Sequence, residues 1–253
     1  TITRNVSQIG IAPFSACTQL TEINVDEANP YFSSLDGVLT DKNRTTIVAY
    51  PAGKGKRYII PDGITKIGTH SFFACPITYI HTPNSVKTIE LFAFASCTDL
   101  DTIILGNSVD SIEGAAFRIN DRLKTIYSMN PIPPAAHPEA FSSFSPMFFI
   151  QCTLHVPVGS LQAYKNAEVW KNFKNIVEND FTGIERPSPD KAKIFGNKNS
   201  IAFRNIEPGT DISIYDTTGK CIKTFAVDGD SEIPLPSGIY LIKYAGRTIK
   251  IIL

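Results

Sequence analysis

The sequence predicts a mainly β protein, in which a repeat solenoid is followed by a small C-terminal β-sandwich. Three observations lead to this prediction: an apolar pattern that recurs every 22 or 23 residues, short alternating β-type runs near the C-terminus, and a composition rich in turn formers. Only 19% of the 253 residues are charged, whereas Phe, Ile, Ser, Thr, Asn and Pro are plentiful. We place the domain boundary after residue 180, so that the domains span residues 1–180 and 181–253.

The repeat is clearest in three copies that begin with Ile followed by Gly or Glu. They start at Ile67, Ile89 and Ile112, and the steps between them are 22 and 23 residues. Each copy continues with Phe, then Cys or Asn, then Leu or Ile, and a final Ile; an earlier copy starts at Ile9. A period of about 20–29 residues is typical of a leucine-rich-repeat solenoid, because one turn cannot bury its own apolar residues but stacked turns can.

The strand of each repeat carries a Leu-x-x-Ile-x-apolar signal, which is cleanest at residues 20–25 and 100–105. The first and second copies are 58 residues apart, which is too long for one period. This interval contains two β-rich runs, residues 37–40 and 46–50, with polar turn residues between them. It is therefore predicted to be a hairpin insert, and residues 57–61 resume the solenoid strand.

Cysteines occupy one position of the repeat in three copies. Cys17, Cys75 and Cys97 align with one another and with Asn120 in the last copy. Catalysis does not require one thiol in every turn, whereas a packing ladder does, and a free Cys behaves as a small buried apolar residue. The repeated Phe and Cys are therefore interpreted as core ladders. Two further cysteines lie outside the pattern and are also predicted to be core residues: Cys152 and Cys221.

Phrases such as Ile60–Gly68 and Asn84–Ile89 resemble the BspA-like leucine-rich repeats of Bacteroidota surface proteins. The insert from Asn29 to Lys54 is similar to the hairpin variant of that family, and Val156–Ser160 is similar to its usual closing phrase. The resemblance covers about the first 180 residues. It implies a rigid, exported scaffold that binds other molecules through a face of the solenoid.

The end of the solenoid is predicted to be capped by a short helix over Ser160–Ala167, with Ser160 as the N-cap. Trp170, Phe173 and Ile176 continue its apolar face. The Trp is the only one in the chain, and we interpret it as a structural plug that covers the last turn. An uncapped solenoid would leave that apolar face in water.

After a linker-like stretch at residues 182–190, the pattern changes to short alternating strands, which predicts an Ig-like β-sandwich. The phrases Ile214–Lys220 and Leu235–Leu241, with the ending Lys250–Leu253, resemble the C-terminal sorting domains of Bacteroidota type IX secretion. That resemblance implies export across an outer membrane. The expected location is therefore secreted, or on the surface of a Gram-negative bacterium.

No constellation for catalysis, metal binding or cofactor binding is recognised in the sequence, so a non-enzyme without cofactor is predicted. The four His residues show no metal-ligand spacing. Gly53–Lys56 is not a phosphate loop, because Tyr50 and Arg57 stand where Gly and Ser or Thr are needed. The formal net charge is zero, which argues against nucleic acid as a partner. No apolar run reaches the length of a membrane span.

The candidate binding surface is a column of outward residues on the stacked strands. Stacking should align the set Ile59, His81, Ile104, Tyr127 and His155, and two residues earlier the set Arg57, Tyr79, Thr102, Thr125 and Thr153. The ligand-face candidates are Tyr79, His81, Ile104, Tyr127 and His155. The ligand could be a host or bacterial protein, or a glycan stacked on the two tyrosines. Alternatively, the tail or neighbouring loops cover this face.

Overall fold

A computed structural model describes residues 1–143, 145–181, 193–197, 199–204, 206, 210–227, 231–244 and 247–253. The chain divides into two compact units, Thr1–Phe181 and Thr182–Leu253. Strands dominate both units, as the sequence predicts. The linker-like stretch 182–190 lies outside the described residues.

The first unit is built from short strands, two short helices and a 3₁₀ turn. Its strands are β1 (Phe32–Leu35), β2 (Val38–Asp41), β3 (Thr46–Ala49), β4 (Arg57–Ile59), β5 (Lys66–Ile67), β6 (Tyr79–His81), β7 (Thr88–Ile89), β8 (Thr102–Leu105), β9 (Ser111–Ile112), β10 (Thr125–Ser128), β11 (Ala135–Ala136), β12 (Thr153–Pro157) and β13 (Asn175–Asn179). The helices are α1 (Phe148–Gln151) and α2 (Leu161–Asn166), and the 3₁₀ turn is Trp170–Asn172.

Each turn of the solenoid contributes one strand to each of two sheets. The seven-stranded sheet has the order β1-β2-β3-β5-β7-β9-β11 and is parallel from β3 onward. The six-stranded sheet has the order β13-β12-β10-β8-β6-β4 and is parallel throughout. Ile67 pairs with Ile89 and Ile89 with Ile112, so the repeat deduced from the sequence is confirmed as the stacking period.

An aromatic ladder runs through the core between the two sheets. We define it as Tyr50, Phe72, Phe94, Phe117 and Phe141, all of them buried. Successive ring centroids are 4.9, 4.8, 5.3 and 5.1 Å apart, and all four pairs are stacked. Fully burying such a side chain stabilises the fold by about 1.5–3 kcal/mol. The predicted Phe ladder is therefore confirmed for Phe72, Phe94 and Phe117, and it includes two residues that the repeat alignment missed, Tyr50 and Phe141.

Beside the aromatic ladder, Cys and Asn side chains bind carbonyl groups of the preceding turn. The Cys97 thiol donates to the carbonyl of Phe72 at 3.0 Å, and the Asn120 amide donates to that of Phe94 at 2.9 Å. Cys75 lies 3.8 Å from the carbonyl of Tyr50 in the same manner. Cys and Asn both suit this position because each is a small hydrogen-bond donor. Cys152 is buried as predicted, whereas Cys17 and Cys221 are exposed, so for them the prediction is wrong.

The first copy of the repeat does not take the first place in the ladder. Tyr50 stacks on Phe72 instead, and the backbone N–H of Tyr50 donates to the carbonyl of Ser71 at 2.7 Å. Phe14, the expected ladder residue, is only half-buried and packs in a separate small cluster. Cys17, in the same copy, is exposed.

The insert contains two tight reversals, between β1 and β2 and between β2 and β3. The predicted hairpin is therefore confirmed. The predicted strand at residues 20–25 is wrong, because only an isolated bridge joins Ile2 to Val25. The N–H of Ile23 donates to the carbonyl of Gly37 in the insert at 2.7 Å. Residues 20–25 are not part of the six-stranded sheet, whose order ends at β4.

The C-terminal cap is built around Trp170, which is fully buried. Its indole N–H donates to the carbonyl of Pro134 at 2.7 Å, and its ring lies edge-on to Phe141 with the centroids 5.5 Å apart. The predicted plug is therefore confirmed. Ser160 precedes α2 but makes no capping hydrogen bond, because its backbone is in the αR region. Glu178 replaces it, accepting the N–H groups of Gly159 and Leu161 at 2.8 and 3.1 Å.

The cap also contributes a strand that the sequence did not predict. We expected Ile176 to continue a helical face, but it lies in β13 and pairs with Leu154. The backbone becomes extended at Phe173, directly after the 3₁₀ turn. As a result, β13 lies parallel to β12 and forms the last strand of the six-stranded sheet.

The second unit contains two antiparallel sheets. The strands are β14 (Lys193–Asn197), β15 (Ser200–Arg204), β16 (Asp211–Tyr215), β17 (Cys221–Ala226), β18 (Ser231–Pro234), β19 (Ile239–Tyr244) and β20 (Arg247–Ile252). One sheet has the order β14-β15-β18 and the other β17-β16-β19-β20. Both sheets contribute to one core, with Ile201 and Phe203 from the first sheet and Ile212, Ile214 and Ile242 from the second. This arrangement is the β-sandwich that the alternating pattern predicts.

Candidate functional site

The predicted column of outward residues is in register on the six-stranded sheet. Ile59 pairs with His81, His81 with Ile104, Ile104 with Tyr127, and Tyr127 with His155. The side chains alternate along each strand, so that Ile80, Ile103 and their equivalents face the core. The column extends one place further than expected, to Val177 on β13, which pairs with His155.

The column is not exposed along its whole length. His81 and Ile104 are buried, with 4% and 6% of their surface exposed. Tyr127, His155 and Ile59 are half-buried. His81 and Ile104 lie on interior strands, where residues of the same column flank each of them on both sides. The surface available to a large ligand therefore lies at the ends of the column rather than at its middle.

At one end, Tyr127 and His155 form a stacked pair that is fixed by hydrogen bonding. The ring centroids are 4.6 Å apart with an interplanar angle of 18°. His155 Nδ1 lies 2.7 Å from Asn179 Oδ1. Because an amide oxygen only accepts, Nδ1 carries the proton in this arrangement, and Nε2 of the neutral ring is an acceptor. The ring of Phe181 packs against the edge of Tyr127, with centroids 6.4 Å apart.

Toward the β4 edge of the sheet, in the neighbouring column two residues earlier, Tyr79 lies under the guanidinium group of Arg57, which is 4.1 Å from the ring centroid. Burial raises the pKa of the Tyr79 hydroxyl, the Arg57 charge lowers it, and the Tyr127 hydroxyl raises it again. The raised pKa keeps Tyr79 neutral, so that its hydroxyl can both donate and accept a hydrogen bond.

We call this surface the aromatic face and define it by Arg57, Tyr79, Tyr127, His155 and Asn179. The sequence had placed the first four on the outward columns, but it missed Asn179. No repeat signal could have found Asn179, because β13 lies outside the repeats and joins the sheet only through tertiary packing. The half-buried threonines between the two ends complete the surface: Thr102, Thr125 and Thr153.

Two general features of the molecule bear on its chemistry. Among the residues that the structure describes, no three His, Cys, Asp or Glu side chains are grouped as ligands for a metal ion. None of the helices in the described part of the chain combines the length and apolar character that crossing a membrane requires.

The stacked turns, the two sheets and the internal ladders define the first unit as a leucine-rich-repeat β-solenoid. Within it, residues 51–155 match the family described as the BspA type leucine rich repeat region, in six copies. The match covers less than half of the chain, and it falls on the repeats whose motifs carry the resemblance. No curated protein matches the chain.

The chain is similar to several solved bacterial leucine-rich-repeat structures. A leucine-rich repeat protein from Eubacterium ventriosum is 24% identical with a TM-score of 0.50, and the match covers 62% of this chain and 41% of that one. The pneumococcal vaccine antigen PcpA is 18% identical with a TM-score of 0.47, and the match covers 71% and 55%. A leucine rich cell surface protein from Faecalibacterium prausnitzii is 19% identical with a TM-score of 0.40, and the match covers 72% and 48%. The chain thus spans about half the length of these structures.

Proposed function

We propose that this protein is an exported, non-catalytic binding or adhesion module that presents the aromatic face to a protein on a host or bacterial surface. The observation that carries the proposal is the concentration of aromatic and Arg side chains on one sheet. Tyr and Arg are enriched among the residues that dominate protein–protein binding energy. Tyr79 and Tyr127 are both half-buried, on the outward side of β6 and β10.

Rigidity supports the same role. The strands that carry the aromatic face are parallel, paired on both sides except at the sheet edges, and backed by the ladder in the core. His155 and Arg57 already have partners, which limits the freedom of their side chains before a ligand arrives. A face that is ordered in advance loses less conformational entropy on binding, so that more of the contact energy appears as affinity.

Export and surface display are parts of the proposal that rest on resemblance. The repeats resemble those of Bacteroidota surface proteins, and the tail motifs Ile214–Lys220 and Leu235–Leu241 resemble sorting domains. We therefore propose a Gram-negative source and a secreted or cell-surface location. Expression in a type IX-competent host, with and without residues 181–253, tests the export route. Equal surface display of both forms would contradict a sorting role for the tail.

Binding is tested with purified extracellular-matrix proteins, mucins and bacterial surface proteins on a biosensor. We expect saturable binding to at least one of them, and at least tenfold weaker binding of the Tyr79→Ala, Tyr127→Ala double variant. Tyr31→Ala is the matched control, since Tyr31 is 54% exposed and lies outside the aromatic face. A panel without saturable binding, or equal losses in both variants, would contradict the proposal.

A second candidate is a glycan ligand. Sugars stack on aromatic rings and use nearby donors and acceptors, and the aromatic face supplies both kinds of group at Tyr127, His155 and Asn179. A glycan array with wild type and the same double variant tests this candidate. Spots that bind wild type but not the double variant would favour it over a protein partner, and a blank array for wild type would exclude it.

A further inference from the structure

An open groove of about 720 Å³ lies on the turns beside the seven-stranded sheet. Its apolar lining includes Leu91, Phe92 and Ile112, and Leu91 is 40% exposed. Gly114 and Ala115 also line it, together with Arg118 and the ring of His137. None of these residues belongs to the aromatic face, so the groove is a separate feature of the solenoid.

In the regular turns next to the groove, a glutamate carboxylate from the following turn accepts a backbone N–H group. Glu90 Oε2 accepts the N–H of Thr69 at 2.9 Å, and Glu113 Oε2 accepts that of Leu91 at 3.0 Å. The next N–H along each turn donates to a carbonyl group of the following turn. The N–H of His70 donates to the carbonyl of Leu91 at 3.1 Å, and the N–H of Phe92 donates to the carbonyl of Gly114 at 3.3 Å.

The pattern stops at the last turn. His137 occupies the position in the stack that Glu90 and Glu113 occupy in earlier turns. Its backbone N–H donates to the carbonyl of Ile112, just as the N–H groups of the two glutamates donate to carbonyl groups of the preceding strands. Within the described residues, neither Gly114 nor Ala115 has an acceptor for its N–H group. Ala115 has little exposed surface and lines the groove, so its N–H group and that of Gly114 are donors that a ligand in the groove can satisfy.

His137 and Arg118 complete a set of donors around this position. Nδ1 of His137 accepts the N–H of Glu139 at 3.2 Å. In the neutral ring the proton is therefore on Nε2, which is a donor. A methyl group at Gly114 would lie 3.3 Å from Nδ1 of His137, so the ring packs closely over this glycine. Arg118 supplies the positive charge, and Glu139 and the already bonded Glu113 are the acidic groups of the lining.

We propose that this groove binds an acidic side chain of an extended peptide segment in another protein, with a neighbouring apolar residue on Leu91 and Phe92. The carboxylate would take the place that Glu90 and Glu113 occupy in the regular turns. The sequence Ile-Glu at 89–90 and 112–113 supplies the internal model for the ligand. An open groove suits an extended peptide, since small-molecule sites enclose most of the surface of their ligand.

The test uses the full chain labelled with ¹⁵N and the probe acetyl-Ile-Glu-amide, with acetyl-Ile-Gln-amide as the neutral control. We expect saturable shifts of the Gly114 and Ala115 amide resonances with the acidic peptide, and at least tenfold weaker binding of the amide peptide. Equal affinity for the two peptides, or no shift at these amides at millimolar concentration, would overturn the proposal.

Four variants sharpen the test. His137→Glu supplies the missing carboxylate from within the chain, so it should abolish peptide binding and raise the unfolding midpoint. Arg118→Gln should weaken binding about tenfold, and Arg122→Gln is the control outside the groove. A folded His137→Glu protein that binds the acidic peptide like wild type would overturn the proposal. The Tyr79→Ala, Tyr127→Ala double variant should keep peptide binding, which separates this site from the aromatic face.

Discussion

The aromatic ladder makes a quantitative prediction about how stability is distributed along the solenoid. Phe94 is fully buried, and its ring stacks on Phe72 at 4.8 Å and on Phe117 at 5.3 Å. Phe94→Ala removes both stacked contacts and leaves a cavity between two turns. We expect it to lower the free energy of unfolding by about 3–5 kcal/mol. Phe195→Ala is the control, because Phe195 is 42% exposed and lies in the second unit.

Double variants test whether the ladder acts through neighbours. Phe94→Leu and Phe117→Leu should be coupled by about 0.5–1.5 kcal/mol, because their rings are in contact. Phe72→Leu and Phe141→Leu, which are separated by two ladder residues, should be additive within about 0.5 kcal/mol. Stability in a stacked repeat comes from each turn and its contacts with adjacent turns, so distant turns should not be coupled directly.

The assay is urea unfolding followed by far-UV circular dichroism and by tryptophan fluorescence. The single Trp of the chain, Trp170, lies in the cap with its ring 5.5 Å from that of Phe141. Fluorescence therefore reports on the C-terminal end of the solenoid, while circular dichroism reports on the whole chain. Strong coupling between Phe72 and Phe141, or none between Phe94 and Phe117, would refute the nearest-neighbour account.

Three further predictions concern thiols, alkaline pH and backbone strain. Of the five free thiols, only Cys17 and Cys221 should react rapidly with Ellman's reagent at pH 8, and all five should react in urea. Burial raises the pKa of Tyr164 to about 12, so urea titrations should show stability falling as the pH rises from about 10 to 12. Ser96 has a φ of +60°, so Ser96→Gly should stabilise the protein by about 0.5–1 kcal/mol in urea titrations. Ala95→Gly, where φ is negative, should destabilise it.

The physical reasons also define the outcomes that would contradict these predictions. Burial raises the pKa of Cys75 and Cys152 to about 12 and raises that of Cys97 as well, so little thiolate is present at pH 8. Rapid reaction of more than two thiols in the native protein would contradict this. The neutral form of Tyr164 is favoured in the folded state, so its contribution to the free energy of unfolding is fully present below about pH 10. Tyr164→Phe should reduce the loss of stability at alkaline pH. An unchanged pH profile would contradict the assignment of that loss to Tyr164.

Much of the first unit follows from residue order alone. The spacing of Ile67, Ile89 and Ile112 determines which residues stack, because identical turns bury the same positions against one another. The outward column from Ile59 to His155 follows from the same period, since side chains alternate along a strand. Trp170 could be interpreted as a plug because a solenoid end needs a large apolar cover and the chain has one Trp.

Only the tertiary structure showed which segments pack at the two ends of the solenoid and which residues they bring into contact with the repeats. Tyr50 took the ladder position expected for Phe14, because the insert brings it over Phe72. β13 and Asn179 joined the sheet through the cap, outside any repeat. The missing acceptor at Gly114 is likewise invisible in the sequence, because it appears only when His137 is stacked where a glutamate stands in the other turns. Periodicity thus determined the solenoid, and contacts between its turns and its ends determined the surfaces available for binding.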